Sequence, residues 1–152
     1  VRFEGGGDPY RASHRVEAAR ELQGEMMLGI GKCLDHLMAL HGVLGASIID
    51  YASGSTLGAA GRGPASHQES YSAGVTTMMH TTMKAAALAT VGNPAHVEQI
   101  VITAGNGFHL LHPLAGGTQT RMMLYVWLDR GIGNLAVTQR RVNSIAAQFS
   151  VN

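Results

Sequence analysis

Apolar positions recur along the chain with two different periods, and the switches between them outline the elements. Leu22, Met26, Ile30, Cys33, Leu37 and Leu40 follow one another at spacings of three and four, one face of a helix. Gly24, Gly29 and Gly31 interrupt that run, each costing up to about 1 kcal/mol relative to alanine, so a break and a separate leading helix are expected near them. Gly42 supplies the stop. Gly45 to Tyr51 and Thr56 to Gly61 read as paired strands joined through Ala52-Ser53-Gly54-Ser55. Ser66 and Glu69 have the spacing of a capping box, and the helix they open should run to about Val91, where Gly92 and Pro94 end it. Val97 to Ala104 is rich in β-branched residues and leads into Asn106-Gly107, a strong hairpin signal, with Phe108 to His112 as the partner strand. Met122 to Leu128 is apolar at every position, which predicts a central strand covered on both faces. Leu135, Thr138, Val142, Ile145 and Phe149 form the stripe of a last helix, with Arg140 and Arg141 on its far side.

The order helix, strand, strand, helix, strand, strand, strand, helix predicts an α/β sandwich, a five-stranded antiparallel sheet between helices. Residues 1–12 read as a flexible N-terminal arm, because Gly5-Gly6-Gly7 has no side chains to pack and Asp8-Pro9 is a turn or helix-start signal. Residues 13–152 then form a single domain.

Composition narrows the class. Of 152 residues, 45% are hydrophobic and only 14% charged, which argues against disorder and leaves little polar surface for a lone monomer. The formal net charge is +1 with no basic stripe or polybasic run, so neither nucleic acid nor direct membrane insertion is expected. No stretch has the roughly 18 clean apolar residues of a membrane span, and the N-terminus carries no apolar leader. The single cysteine, Cys33, fits a reducing compartment, and a cytoplasmic location is expected.

Candidate chemistry fails on spacing. His109 and His112 form an H-x-x-H pair, but on a strand an odd offset puts them on opposite faces. His36 and His41 diverge on their helix, and no zinc-binding or metalloprotease pattern is present, so no metal is expected. Gly29-Ile30-Gly31-Lys32 resembles the tail of a phosphate loop, yet the first glycine is missing and Cys33 stands where Ser or Thr belongs. No Gly-x-Ser-x-Gly elbow occurs, and Cys33 lies on an apolar stripe, where a buried inert thiol is expected. Neither catalytic residues nor a cofactor are expected, and the chain is read as not an enzyme.

The unusual segment is the middle helix. Tyr71, Val75, Met78, Thr82, Ala85 and Ala89 form one face, and Met79, Met83, Ala86 and Thr90 widen it, with Lys84 the lone charge. Adaptable methionines and small residues suit contact with another subunit or a partner, beyond what one sheet contact needs.

Gly42-Val43, Gly45-Ala46, Ile48-Ile49-Asp50 and Gly54, together with the element order, resemble the opening of a roadblock/dynein-light-chain domain. The resemblance extends over about Leu22 to Phe149 and implies a roadblock-like, profilin-like layout. It implies a non-enzymatic homodimer whose third strands pair into one continuous sheet and whose middle helices lie side by side. It also implies a bacterial Ras-like small GTPase as partner, bound over that helical face, in some cases within a sensor-kinase system. Mapped here, the edge strand is Val97 to Ala104 and the middle helix His67 to Val91. The dimer or partner interface is then Tyr71, Val75, Met78, Met79, Thr82, Met83, Val97, Gln99, Val101 and Thr103. The rival expectation is a small-molecule sensor of PAS-like or profilin-like architecture, which would hold its ligand in a buried cavity.

Overall fold

A computed structural model describes residues 9–64, 68–85, 97–114 and 121–150. Among these residues three helices and five strands follow in the expected order: α1 (Pro9–Met38), β1 (Val43–Asp50), β2 (Ser55–Gly61), α2 (Gln68–Met83), β3 (Ile100–Ala104), β4 (Gly107–Pro113), β5 (Met122–Leu128) and α3 (Leu135–Ser150). The strands form one antiparallel sheet in the order β2-β1-β5-β4-β3.

β5 lies at the centre and shows why its sequence is apolar throughout. Leu124, Val126 and Leu128 face a core built with Ile30, Leu34 and Leu37 of α1 and Val142 and Ala146 of α3. Met123, Tyr125 and Trp127 face the other way, into a core with Val75 and Met79 of α2. The period of two along one strand thus sorts the molecule into layers, α1 and α3 on one face and α2 on the other.

Helix α1 departs from expectation twice. It is unbroken through Gly24, Gly29 and Gly31. Good helix formers surround those glycines (Ala18, Ala19, Arg20, Glu21, Leu22, Gln23, Glu25 and Met26), so a cost of about 1 kcal/mol at each is spread over a long run. It also begins at Pro9, inside the expected arm, with proline in the first-turn position it favours, so residues 9–12 are helical. Residues 1–8 lie outside the described residues.

The motif residues of the first turns have structural work. Gly42 has φ of 87°, and a Cβ there would fall 2.5 Å from the Gly133 Cα, so the turn after α1 seats against the turn before α3 only without a side chain. The Asp129 amide donates to the Gly42 carbonyl at 2.8 Å across that contact. Asp50 organises the β1–β2 turn: its Oδ1 accepts from the Ala52 amide at 2.9 Å and its carbonyl from the Gly54 amide at 2.7 Å.

Two other boundaries differ. Strand β3 starts at Ile100, so Val97 to Gln99 precede it rather than belong to it. Helix α2 ends at Met83, with Lys84 and Ala85 in a closing turn whose amides reach the His80 and Thr82 carbonyls. The expected cap at Ser66 and the expected stop at Gly92 and Pro94 fall outside the described residues. Among those described, no helix is long and apolar enough to cross a membrane.

Cys33 is 4% exposed, and burial pushes its thiol up to about 11. The native protein should therefore react with a thiol reagent at pH 8 at least about tenfold more slowly than the denatured chain. Equal rates in the two states would show that this thiol is accessible.

Candidate interaction surface

The orientation of α2 follows from which residues its sheet can bury. Val75 and Met79 point inward at 5% and 0% exposure, with Tyr71 and Met83 packed at the margins of the same cluster. Ala73, Gly74, Thr77, Met78, Thr81 and Lys84 face out. Val75 and Met79, expected at the interface, are therefore buried against the sheet rather than placed on the outer surface of α2. Their side chains fill the space under the helix, because the four-residue step 71, 75, 79, 83 is the one that meets Ile49, Leu111, Met123 and Tyr125.

The outer surface of α2 is small and nearly uncharged. A Cβ added at Gly74 meets nothing within 4 Å, and Met78 is 37% exposed. The Thr77 hydroxyl donates to the Ala73 carbonyl at 3.1 Å, which satisfies its polar group within the helix. A neighbouring helix can approach such a surface closely without desolvating a charge.

The strand residues of the expected interface lie elsewhere. Alternation along the chain sends Val101 into the α1 and α3 core. The Gln99 Oε1 accepts from Gln139 Nε2 of α3 at 3.1 Å, and Gln99 Nε2 lies 3.4 Å from His112 Nδ1. Thr103, of the same parity as Val101, is exposed, and Val97, ahead of the strand, is half-buried. The expected interface thus divides between two opposite faces of the sheet. The residues that share the α2 side are Ile100 and Ile102, both half-buried and packed on the α2 core. The register Ile102 opposite His109 opposite Trp127 carries the signal that finds them, since Trp127 faces α2.

An aromatic shelf runs from α2 to that edge. The rings of Tyr71 and Tyr125 lie 5.3 Å apart, those of His109 and Tyr125 6.0 Å, and those of His109 and Trp127 6.4 Å. Asn106 anchors it: its Oδ1 lies 2.8 Å from His109 Nε2, and its carbonyl accepts from Trp127 Nε1 at 2.9 Å. With an acceptor at Nε2, that nitrogen carries the proton, and His109 Nδ1 accepts from the Tyr125 hydroxyl at 2.7 Å. Gly107 has φ of 141°, and a Cβ there would fall 2.5 Å from the Leu128 carbonyl oxygen and 2.8 Å from Trp127 Nε1, so the Asn-Gly turn is also what lets the indole close over it. Arg62 lies over the Trp127 ring at 5.8 Å. Arg130 lies over Phe108 at 5.7 Å and donates to the Ala104 carbonyl at 3.1 Å, fastening the end of β3.

His109 and His112 do face opposite ways, one to Tyr125 and the other to Gln99. Among the described residues no group of three or more His, Cys, Asp or Glu side chains gathers as a metal site. Burial holds both imidazoles below their ordinary value, with Glu98 partly opposing it at His112. The unfolded chain therefore takes up protons first as pH falls. The stability from these two groups is full above about pH 6.5 and is lost as pH drops below it, through the lowered folded-state values. Melting temperature should decline from pH 7.5 to 5, and His109→Gln should flatten the decline. A wild-type profile level over that range contradicts this.

No protein-family model matches the sequence, and no curated protein matches it either. Solved structures do match in shape. MglB of Myxococcus xanthus superposes with a TM-score of 0.67 at 14% identity, covering 82% of this chain and 87% of that one. The gliding protein mglB of Thermus thermophilus gives 0.62 at 16% identity over 83% and 91%. A Roadblock/LC7 domain of Streptomyces avermitilis gives 0.59 at 14% identity over 80% and 91%. The chain has the Roadblock/LC7 fold.

Proposed function

We propose that this chain is a non-enzymatic, homodimeric regulator that binds a Ras-like small GTPase and biases its nucleotide cycle. The observation that carries the reading is the outer face of α2. It is small, uncharged apart from Lys84, and lies on the same side of the sheet as Ile100, Ile102 and the aromatic shelf. The fold supports it, since roadblock domains pair through the third strand and serve GTPases. β3 is an edge of the sheet here, with one ladder partner, β4, among the described residues. An edge strand next to an uncharged helix is a surface a second copy can extend.

Regulation needs no catalytic group on this chain. A partner that binds one nucleotide state of a GTPase tenfold more tightly shifts its equilibrium by about 1.4 kcal/mol. The sensor alternative places a ligand between helix and sheet, but Val75, Met79, Tyr71 and Met83 fill that space under α2. The test is kinetic: a Ras-like GTPase from the same genome should hydrolyse GTP or release GDP at a changed rate when this chain is added, while the chain alone turns over no GTP. Unchanged rates at saturating chain would refute the proposal.

A further inference from the structure

Residues Pro9 to Leu28 of α1 are exposed at every position, including Leu22 at 67% and Leu28 at 69%. A helical segment of that length without tertiary support is marginal in water. One exposed stripe of α1, continued into the turn that follows it, is its own complement. Ala18, Glu21, Glu25, Leu28, Lys32, His36 and Ala39 follow at spacings of three and four, so they line one side, and all are exposed. Reversed, the stripe meets itself. Laid antiparallel about the Leu28–Gly29 bond, Glu25 stands opposite the partner's Lys32, Glu21 opposite the partner's His36, and Ala18 opposite the partner's Ala39. Leu28 then stands opposite the partner's half-buried Gly29, which has no side chain of its own and whose neighbour is the Phe149 ring of α3, 3.7 Å from where a Cβ would lie.

Beyond Ala39 the same line runs into an open groove between α1 and α3 of about 580 Å³. Leu40, Val137 and Ile145 give it apolar walls, His36, His41 and Arg141 are its ionisable residues, and no carboxylate lines it. The overhanging half of α1 offers the matching chemistry, with Glu17, Glu21 and Glu25 on adjacent turns.

We infer that α1 pairs antiparallel with α1 of a second copy, each overhang seated over the partner's α1–α3 groove. The contact is isologous, so it closes as a pair rather than growing into a filament. It lies on the face of the sheet opposite α2, and therefore does not depend on the GTPase reading and leaves that surface free.

Charge reversal tests it in the full chain by particle mass at low micromolar concentration. Glu21→Lys with Glu25→Lys places a like charge opposite Lys32 and removes the carboxylate opposite His36, and should weaken this association at least about tenfold, halving the mass of the assembly. Adding Lys32→Glu and His36→Glu to the same chain restores opposite signs and should restore the mass. Independently, Leu28→Cys should form a disulfide-linked pair on mild oxidation, because the two copies of that residue flank the crossing point one position apart, whereas Ser53→Cys in the β1–β2 turn should not. An unchanged mass on reversal, a swap that fails to restore it, or no cross-link through Leu28→Cys would overturn the inference.

Discussion

Met79→Asp should leave no folded protein, while Met78→Asp, one residue earlier, should cost less than about 0.5 kcal/mol. Met79 is 0% exposed in the apolar cluster of Val75, Leu111, Met123 and Tyr125. An ionised group buried there costs several kcal/mol, and protonating it still leaves polar oxygens without partners. Set against a total stability of about 5 to 15 kcal/mol, the loss removes most of the folded population. Met78 is 37% exposed, so its carboxylate stays in water. Denaturant unfolding of the two variants checks this, and a Met79→Asp protein as stable as the wild type would mean that α2 is turned the other way.

Gly74→Arg should weaken GTPase binding about a hundredfold, or about 2.7 kcal/mol, while leaving the melting temperature within about 2 °C of the wild type. The position lies on the outer face of α2, and an added Cβ meets nothing within 4 Å, so the domain itself has room for the side chain. A partner packed on this face does not. Gly74→Ala should keep binding and raise stability by about 0.5 to 1 kcal/mol, because alanine restricts the unfolded chain and favours the helix. Calorimetric titration alongside thermal melts separates the two effects. Full binding by Gly74→Arg would remove the partner from this face.

Element order and type were legible in the sequence because the two hydrophobic periods are long and clean: among the described residues five strands and three helices follow in the order that alternation, helical stripe and the Asn-Gly turn give, though the bounds of α1, α2 and β3 differ. The central position of β5 was legible for the same reason, since Met122 to Leu128 offers no polar face. The start of α1 was blurred by residues 9–21, which have helix-forming side chains but no stripe, so the start at Pro9 rested on one proline. The candidate surface was legible only as elements. On α2 nearly every position is apolar or small, so periodicity could not say whether Met78 or Met79 faces the sheet. That is decided by the contact of Val75 and Met79 with Tyr125 and Met123. On β3 the sheet face of odd and even positions is set by pairing to β4 and β5, a long-range fact that Val97 to Ala104 cannot carry alone. The polar shelf of Asn106, His109, Tyr125 and Trp127 was missed because its members are far apart in sequence and meet only across the sheet.

The most direct measurement is a calorimetric titration of this chain into a Ras-like GTPase of the same genome, once loaded with GDP and once with a non-hydrolysable GTP analogue. The account predicts two chains bound per GTPase or per pair of GTPases, and at least about a tenfold difference in affinity between the two loaded forms, since only differential binding can bias the cycle. Equal affinity for both forms, or no binding to either, would contradict it.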